Sequence, residues 1–330
     1  MGFIIKSSDA YLPKRVLLSS EIDAIRGVPA GRSEFITCLQ KRHIISENET
    51  VLTMAIDCAK GALKKSNHTV EEMDCIIYAS GTPIQTIPYG AASLNAGLGN
   101  ENMNVMTFDV TSTCLSFVTA LHLVGKLFKS KEYRRILVVT SEVASVGLDY
   151  QNNESAGIFG DGAVAYVLEH SEEKNNAVFA SFQTHAPHVN DCELPAGGGL
   201  YPPSAYNDIS AYQELALFKM DHKRLLKLVL SKFPDFWKNH VDSSGIDVSK
   251  IKKVIPHQGS YNIVRLLERK LSLEEGMFAN TFHYNGNQIA ASIPTSLHLL
   301  LENDEVTKGD EVVLIGTSAG VSFGALNLEI

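Results

Sequence analysis

The chain lacks a basic surplus, a long apolar run and any regular spacing of cysteines, and each deficit removes a class of function. Its 330 residues carry 29 Lys and Arg against 37 Asp and Glu, a net charge of −8. An acidic balance leaves no charged footprint for a phosphate backbone, so a nucleic-acid partner is excluded. No segment approaches the roughly eighteen consecutive apolar residues that a membrane span requires, so no membrane insertion is expected. The apolar part of the opening "MGFIIKSSDAYLPKR" is too short for a secretory signal. Ile4-Ile5-Lys6 reads as a first strand rather than as the sequel to a myristoylated glycine. Five cysteines, at 38, 58, 75, 114 and 192, are an odd number without close spacing. They form neither a zinc site nor a disulfide framework, which suits a reducing cytoplasm.

What is present is ordinary globular composition, 45% hydrophobic and 20% charged, in a chain long enough for one large α/β unit or two fused domains. The chain also repeats itself. Thr119-Ala-Leu-His-Leu123 aligns with Thr295-Ser-Leu-His-Leu299, an offset of 176 residues. "ILVVTSE" and "VVLIGTSAG" align at Thr140 and Thr317, and "CIIYASG" and "KVIPHQG" align at Gly81 and Gly259. Three segments in one order at nearly one offset indicate a duplication. Each half reads as strand, strand–helix, strand, in the βαβ manner of a largely parallel, buried sheet. The helix after Cys114 carries Leu115, Val118, Leu121, Leu123, Val124 and Leu127 as a broad apolar stripe. The halves divide at 1–172 and 173–330. The span of about 185–215, rich in Gly, Pro and Tyr, is expected to form a cap or elaborated loop.

Four polar features fall at equivalent ends of the two halves, where α/β folds gather their sites. Cys114, in "DVTSTCLSFVTAL", lies where a strand gives way to a helix. It is there either as a small buried hydrophobe or as a thiol whose pKa the helix end lowers. The other four cysteines have no such setting and read as structural. His257 follows the apolar strand of "VIPHQG", where a lone histidine is often structural. Asn287 lies in "YNGNQIAASIP", a strong turn sequence, within a few residues of the place in the second half that Cys114 takes in the first. A neutral imidazole and an amide can both donate to one developing negative oxygen. Gly316, Gly320 and Gly324 of "GTSAGVSFGAL" let the backbone come close enough to offer an N–H to an oxyanion.

Taken together, "STC", "GIFGDGAVAYVLE", "PHQ", "GNQIAASIP" and "GTSAG" resemble the ketoacyl synthase III branch of the thiolase superfamily, over nearly the whole chain. The resemblance implies an α/β fold, a duplicated α-β-α-β-α sandwich that dimerises through its first half. It implies an acyltransferase in which Cys114 takes an acyl group from a thioester. The backbone N–H groups of Cys114 and Ala319 would form the oxyanion hole. His257 and Asn287 would hold a malonyl- or β-ketoacyl-type thioester for decarboxylative condensation, in fatty-acid or polyketide-type biosynthesis. Phe159 matches an aromatic of the acyl pocket, and the loop "TPIQTIPYG" resembles one that places Ile87 in the partner subunit's pocket. The apolar residue there weighs against relatives that join two long acyl chains through a glutamate at this position. No metal or other cofactor is implied, and His185 and His188 without a third ligand do not make a metal site.

Two departures bear on the donor. "SEFITCLQKRHI" resembles a loop that stacks the adenine of coenzyme A, with Phe35 in the stacking place. The arginine expected next is replaced near Leu39, while Lys41 and Arg42 fall later. Asn262 stands where relatives often carry an arginine for docking acyl carrier protein, with Arg265 one turn on. Lys219, Lys223, Arg224 and Lys227 form a basic stretch in an acidic protein, either a solvated helix face or a docking surface for an acidic carrier. These departures point to a specialised relative that works on carrier-bound chains. The alternatives are acyl transfer to an oxygen or nitrogen acceptor without decarboxylation, a non-catalytic partner subunit of a ketosynthase heterodimer, or a plain coenzyme A thioester-binding protein. The intact Cys114, His257 and Asn287 favour condensation.

Overall fold

A strand buried on both faces must lie inside a layered sheet, and each half contains such strands at its centre. The computed structural model describes residues 2–150, 157–172, 178–206 and 208–330. In the first half a five-stranded sheet runs in the order β1 (Gly2–Tyr11), β7 (Gly162–Ser171), β6 (Arg135–Glu142), β4 (Cys75–Tyr78), β5 (Met106–Asp109). In the second a four-stranded sheet runs β11 (Ile251–Pro256), β12 (Glu311–Ser318), β13 (Ser322–Glu329), β8 (Phe179–Thr184). Both sheets are mixed, not largely parallel as the alternation of strand and helix implied. β4 is parallel to β5 and β6, and β11 to β12, while β1, β7, β8 and β13 join antiparallel. Antiparallel neighbours need only a tight connection, and the turn at 319–321 between β12 and β13 supplies one.

The two strand orders superimpose. The place of β5 is taken in the second sheet by a single parallel bridge from Val254 to Phe278. The central helices, α5 (Ser116–Ser130) and α10 (Ser292–Glu302), both begin with a 3₁₀ turn, at Thr113–Leu115 and Ile289–Ala291. Thr113 and Ile289 are both left-handed, at φ 46° and 50°, a costly state for β-branched residues that only a well-fixed surrounding holds. Part of that fixing is itself duplicated. Ser116 Oγ accepts from the Ser112 N–H and Ser292 Oγ from the Gln288 N–H, each at 2.9 Å.

α5 and α10 lie between the two sheets in one continuous apolar core. α3 (Val51–Ser66) covers the outer face of the first sheet. α7 (His222–Ser244) and α8 (Tyr261–Lys270) cover that of the second, giving five layers, α-β-α-β-α. Along α5 the expected stripe is buried except that Leu127 is half-buried and Leu123 turns outward, and Phe117, Ala120 and Phe128 complete the buried face. Polar bonds also cross between halves. Tyr166 Oη donates to the Pro294 carbonyl at 2.6 Å, and Ser8 Oγ lies 2.9 Å from His298 Nδ1.

Smaller elements frame one end. β2 (Arg15–Leu18), α1 (Ser19–Arg26), α2 (Arg32–Thr37) and β3 (Lys41–Ile44) form a lobe beside the first sheet, and α4 (Gly90–Gly97) follows the 82–90 loop. The 185–215 span is a cap with some structure of its own. β9 (Cys192–Glu193) pairs with β10 (Lys219–Met220), and α6 (Ile209–Leu215) follows 3₁₀ turns at Ala186–His188 and Pro203–Ala205. α9 (Phe282–Asn285) leads into Gly286. Among the described residues no helix is long and apolar enough to cross a membrane.

Tyr166→Phe should lower stability by about 1–3 kcal/mol, because a buried carbonyl loses its donor. Chemical denaturation would show this as a lower midpoint with an unchanged slope, whereas an unchanged midpoint would remove the bond from the account.

Candidate active site

Duplication puts the head of α5 and the head of α10 side by side, and one parallel bridge, Phe159 to Asn287, ties the segment before β7 to the segment before α10. The Asn287 N–H donates to the Ile158 carbonyl at 2.7 Å, and the Gly160 N–H donates to the Asn287 carbonyl at 3.1 Å. That contact needs glycine: a Cβ on Gly160 would lie 2.2 Å from the Asn285 carbonyl oxygen, and one on Gly286 would lie 2.6 Å from the Ile158 carbonyl oxygen. The first glycine of "FGDG" and that of "NGN" are therefore explained by close approach of two backbones, while Gly162 makes room for the Gln288 side chain. Asp161, fully buried between them, accepts from the Ile45 N–H and from the N–H and Oγ of Ser145 at 2.6–2.9 Å. It pins the lobe and the 143–148 segment to β7.

Beneath this seam is a cavity of about 1180 Å³, lined by Cys114, His257, Asn287, Phe159 and Ala319 together. Cys114 keeps part of its surface open to the cavity. Its sulfur is addressed by its own N–H and by that of Ala319, which favour the thiolate, but burial outweighs them and pushes the thiol up. The helix-end position predicted the opposite direction. The apolar walls around the site reverse it, because desolvating a charge costs more than two N–H dipoles return.

His257 follows β11, and its N–H donates to the Ile315 carbonyl at 2.8 Å. Gly316 makes room for it, since a Cβ there would lie 2.8 Å from the His257 Cβ. Burial holds its imidazole down, at about 4, and Nδ1 has no hydrogen-bond partner. The ring is therefore neutral near pH 7. Asn287 Oδ1 accepts from the Ile289 N–H at 2.9 Å and lies 3.5 Å from Ser292 Oγ. With its oxygen so engaged, the Asn287 amide can only donate to what enters the cavity. Two neutral donors and a thiol share one apolar chamber.

Two residues escaped the sequence reading. Glu142, ending β6, is fully buried and accepts from the Gly81 N–H, from Thr82 Oγ1 at 2.7 Å and from the Ala290 N–H. Burial raises it to about 8, and its charge opposes ionisation of Cys114. A carboxylate closing an otherwise apolar strand was the available signal. Cys192, read as structural, lines the same cavity from the cap, its thiol pushed up by burial to about 12. No local pattern marked it.

The peripheral residues divide. Phe35 is 81% exposed, while its neighbours Ile36 and Thr37 line the cavity mouth. Ile87 is 84% exposed and does not line the cavity of its own chain, although Pro83 and Ile84 do. Lys219, Lys223, Arg224 and Lys227 are exposed where β10 runs into α7, beside Met220, His222 and Leu225 of the cavity rim. Arg224 also pairs with Asp191 at 3.2 Å. Two expectations fail. Arg42 is only 1% exposed, lies in β3 and donates to the Gly157 carbonyl at 2.7 Å, so it faces inward and meets no donor. Arg265 is held by Glu268 and Glu275 at 3.0 and 2.9 Å, which neutralises it as a docking cation. His188 bonds Asp191 at 2.6 Å, and the His185 ring packs tilted against Phe323 with centroids 4.5 Å apart. Among the described residues no group of three or more His, Cys, Asp or Glu is placed to hold a metal.

A duplicated five-layer sandwich with a cysteine, a neutral histidine and an asparagine converging between its halves defines a thiolase-fold acyltransferase of the carbon–carbon bond-forming kind. The comparisons agree and narrow the class. Family models described as 3-oxoacyl-(acyl-carrier-protein) synthase III and its C-terminal part match residues 108–186 and 241–330. The β-ketoacyl-(acyl-carrier-protein) synthase III of Aquifex aeolicus is 28% identical over 329 residues, 99% of each chain. That of Bartonella bacilliformis is 29% identical over 323 residues, 96% of this chain and 95% of its own. The crystal structure of the Aquifex aeolicus enzyme matches this fold over 100% of both chains, with TM-score 0.87 and 26% identity. The chain belongs to the ketoacyl synthase III family.

Two outcomes are expected of the unliganded protein. Alkylation of Cys114 by iodoacetamide should rise about tenfold per pH unit from pH 7 to 9 without levelling, and a plateau below pH 8 would contradict a raised thiol. The imidazole of His257, followed by NMR, should not titrate between pH 8 and 5, and a midpoint near the ordinary 6.5 would contradict its desolvation.

Proposed function

We propose that the protein loads an acyl group on Cys114 and condenses it, with loss of CO₂, onto a malonyl-type thioester carried by acyl carrier protein. The observation that carries this reading is the meeting of Cys114, neutral His257 and Asn287 in one apolar chamber. The Cys114 sulfur attacks the donor's thioester carbon, and its proton leaves with the departing thiol. The N–H groups of Cys114 and Ala319 stabilise the tetrahedral oxyanion. The extender's thioester carbonyl then takes hydrogen bonds from His257 and Asn287. As the carbon–carboxylate bond breaks, its electron pair becomes an enolate on that oxygen. The α-carbon attacks acyl-Cys114, the carbon–sulfur bond breaks, and the thiolate leaves. A neutral histidine suits this step, because its N–H donates to the developing enolate without a full positive charge having to be buried in the apolar chamber. A raised Cys114 pKa suits it too: the resting enzyme does not expose a reactive thiolate.

In this reading residues 1–172 supply the nucleophile and the dimer surface, and 173–330 supply the His/Asn pair. Exposed Ile87 completes the pocket of a second copy, opposite Phe159. The mouth, edged by Lys219, Lys223, Arg224 and Lys227, meets an acidic carrier protein. The relatives' names specify carrier-protein substrates, and the loss of Arg42 and Arg265 as surface cations shifts the docking burden onto this stretch. The setting is cytoplasmic lipid synthesis, of the fatty-acid or polyketide type.

Intact mass after mixing with acyl-CoA and acyl-carrier-protein panels tests the covalent step. An acyl-sized gain is expected, and it should vanish in Cys114→Ala; no gain from any donor would overturn the proposal. His257→Ala and Asn287→Ala should still acylate but condense about 10²–10³-fold more slowly. Lys219→Glu with Lys223→Glu should raise the KM for carrier-bound substrate and flatten its salt dependence while sparing kcat. A kcat effect alone would locate the basic stretch elsewhere in the cycle.

A further inference from the structure

The cavity, of about 1180 Å³, is lined well beyond the residues assigned to the reaction. Beyond His257 the lining passes to Val229 and Phe233 of α7, Val264 and Leu267 of α8, Phe278, and Ile315 of β12. These six side chains belong to the apolar core of the second half, yet they face open volume between the helices and the sheet. The arm opens beside His257, whose N–H bonds the Ile315 carbonyl. Leu148, Phe159 and Phe218 of the lining belong to a separate apolar cluster, in which Phe159 meets Phe218 edge-on at 5.1 Å.

We propose that this arm seats a second aliphatic chain, attached to the α-carbon of the extender, so that the enzyme's nucleophile is a 2-alkylmalonyl thioester. The inference rests on the reading of His257 and Asn287 as holders of the extender's carbonyl. With that carbonyl against His257, the α-carbon is one bond away, and a substituent on it departs where the arm opens. None of the six residues is polar, so a carboxylate gains nothing there, whereas each methylene buried favours binding by about fourfold. The chemistry stays balanced. CO₂ leaves from the substituted α-carbon, that carbon bonds to the acyl carbon as the Cys114 sulfur departs, and the product is a 2-alkyl-3-ketoacyl thioester.

The test compares malonyl- and 2-hexylmalonyl-N-acetylcysteamine as extenders, with hexanoyl-CoA as acyl donor and Cys114 acylation followed by intact mass. The wild-type protein should favour the alkylated extender by about tenfold or more in kcat/KM. Leu267→Phe or Val264→Phe, each narrowing the arm, should erase that preference; melting curves show which variant is folded. Equal use of both extenders, or a preference that survives in a folded narrowed variant, overturns the inference. If no donor acylates Cys114, the underlying reading fails first, and calorimetry with decanoic acid on Cys114→Ala decides the arm separately. Binding weakened in the narrowed variants supports an aliphatic site, and no binding rules it out.

Discussion

The Phe159–Asn287 bridge is the contact on which the site depends. It spans two segments well over a hundred residues apart and is made by backbone groups, which gives it a fixed length and direction. Because Asn287 is tied at N–H and C=O, its side chain cannot drift relative to Phe159. Because Ser116 and Ser292 cap their turns in the same manner, Cys114 and Asn287 stand within three residues of corresponding points in two copies of one device. The left-handed Thr113 and Ile289 are strain that this scaffold holds in place, at the positions immediately before the thiol and two residues beyond the amide.

Around that seam the electrostatics are governed by scarcity of water. Desolvation sets the direction for Cys114, His257, Glu142 and Cys192 alike: thiols and carboxyl up, imidazole down. A chamber that keeps its ionisable groups neutral is suited to a reaction whose charge develops on the substrate, where a few aligned donors act at full strength. Glu142 belongs to this arrangement as a brace. By receiving Gly81, Thr82 and Ala290 it ties the 82–90 loop of one half to the α10 turn of the other, close to Cys114.

The site was legible in the sequence where a local pattern carried it. Strand-end position and the repeat pointed to Cys114, His257 and Asn287, and the structure brings all three to one cavity. Reading charge from sequence was less successful. Arg42 and Arg265 are cations by composition, but a strand that packs inward buries Arg42, and Glu268 of α8 with Glu275 beyond it pairs Arg265. Cys192 had no signal because β9 acquires its place only by pairing with β10. The mixed sheets were missed because strand–helix alternation sets which segments are strands, while the direction of β1, β7, β8 and β13 depends on where the chain returns.

The duplication, the two apolar sheets, the central helices and the three polar side chains at the strand ends were determined by the sequence alone, since period, offset and turn residues are local properties. Tertiary structure decided the rest: the upward shift of the Cys114 thiol, the neutrality of His257, the burial of Glu142 and the arm beneath α7 and α8. Each depends on how much water and how many apolar atoms surround a group, and that is set by residues distant in the chain.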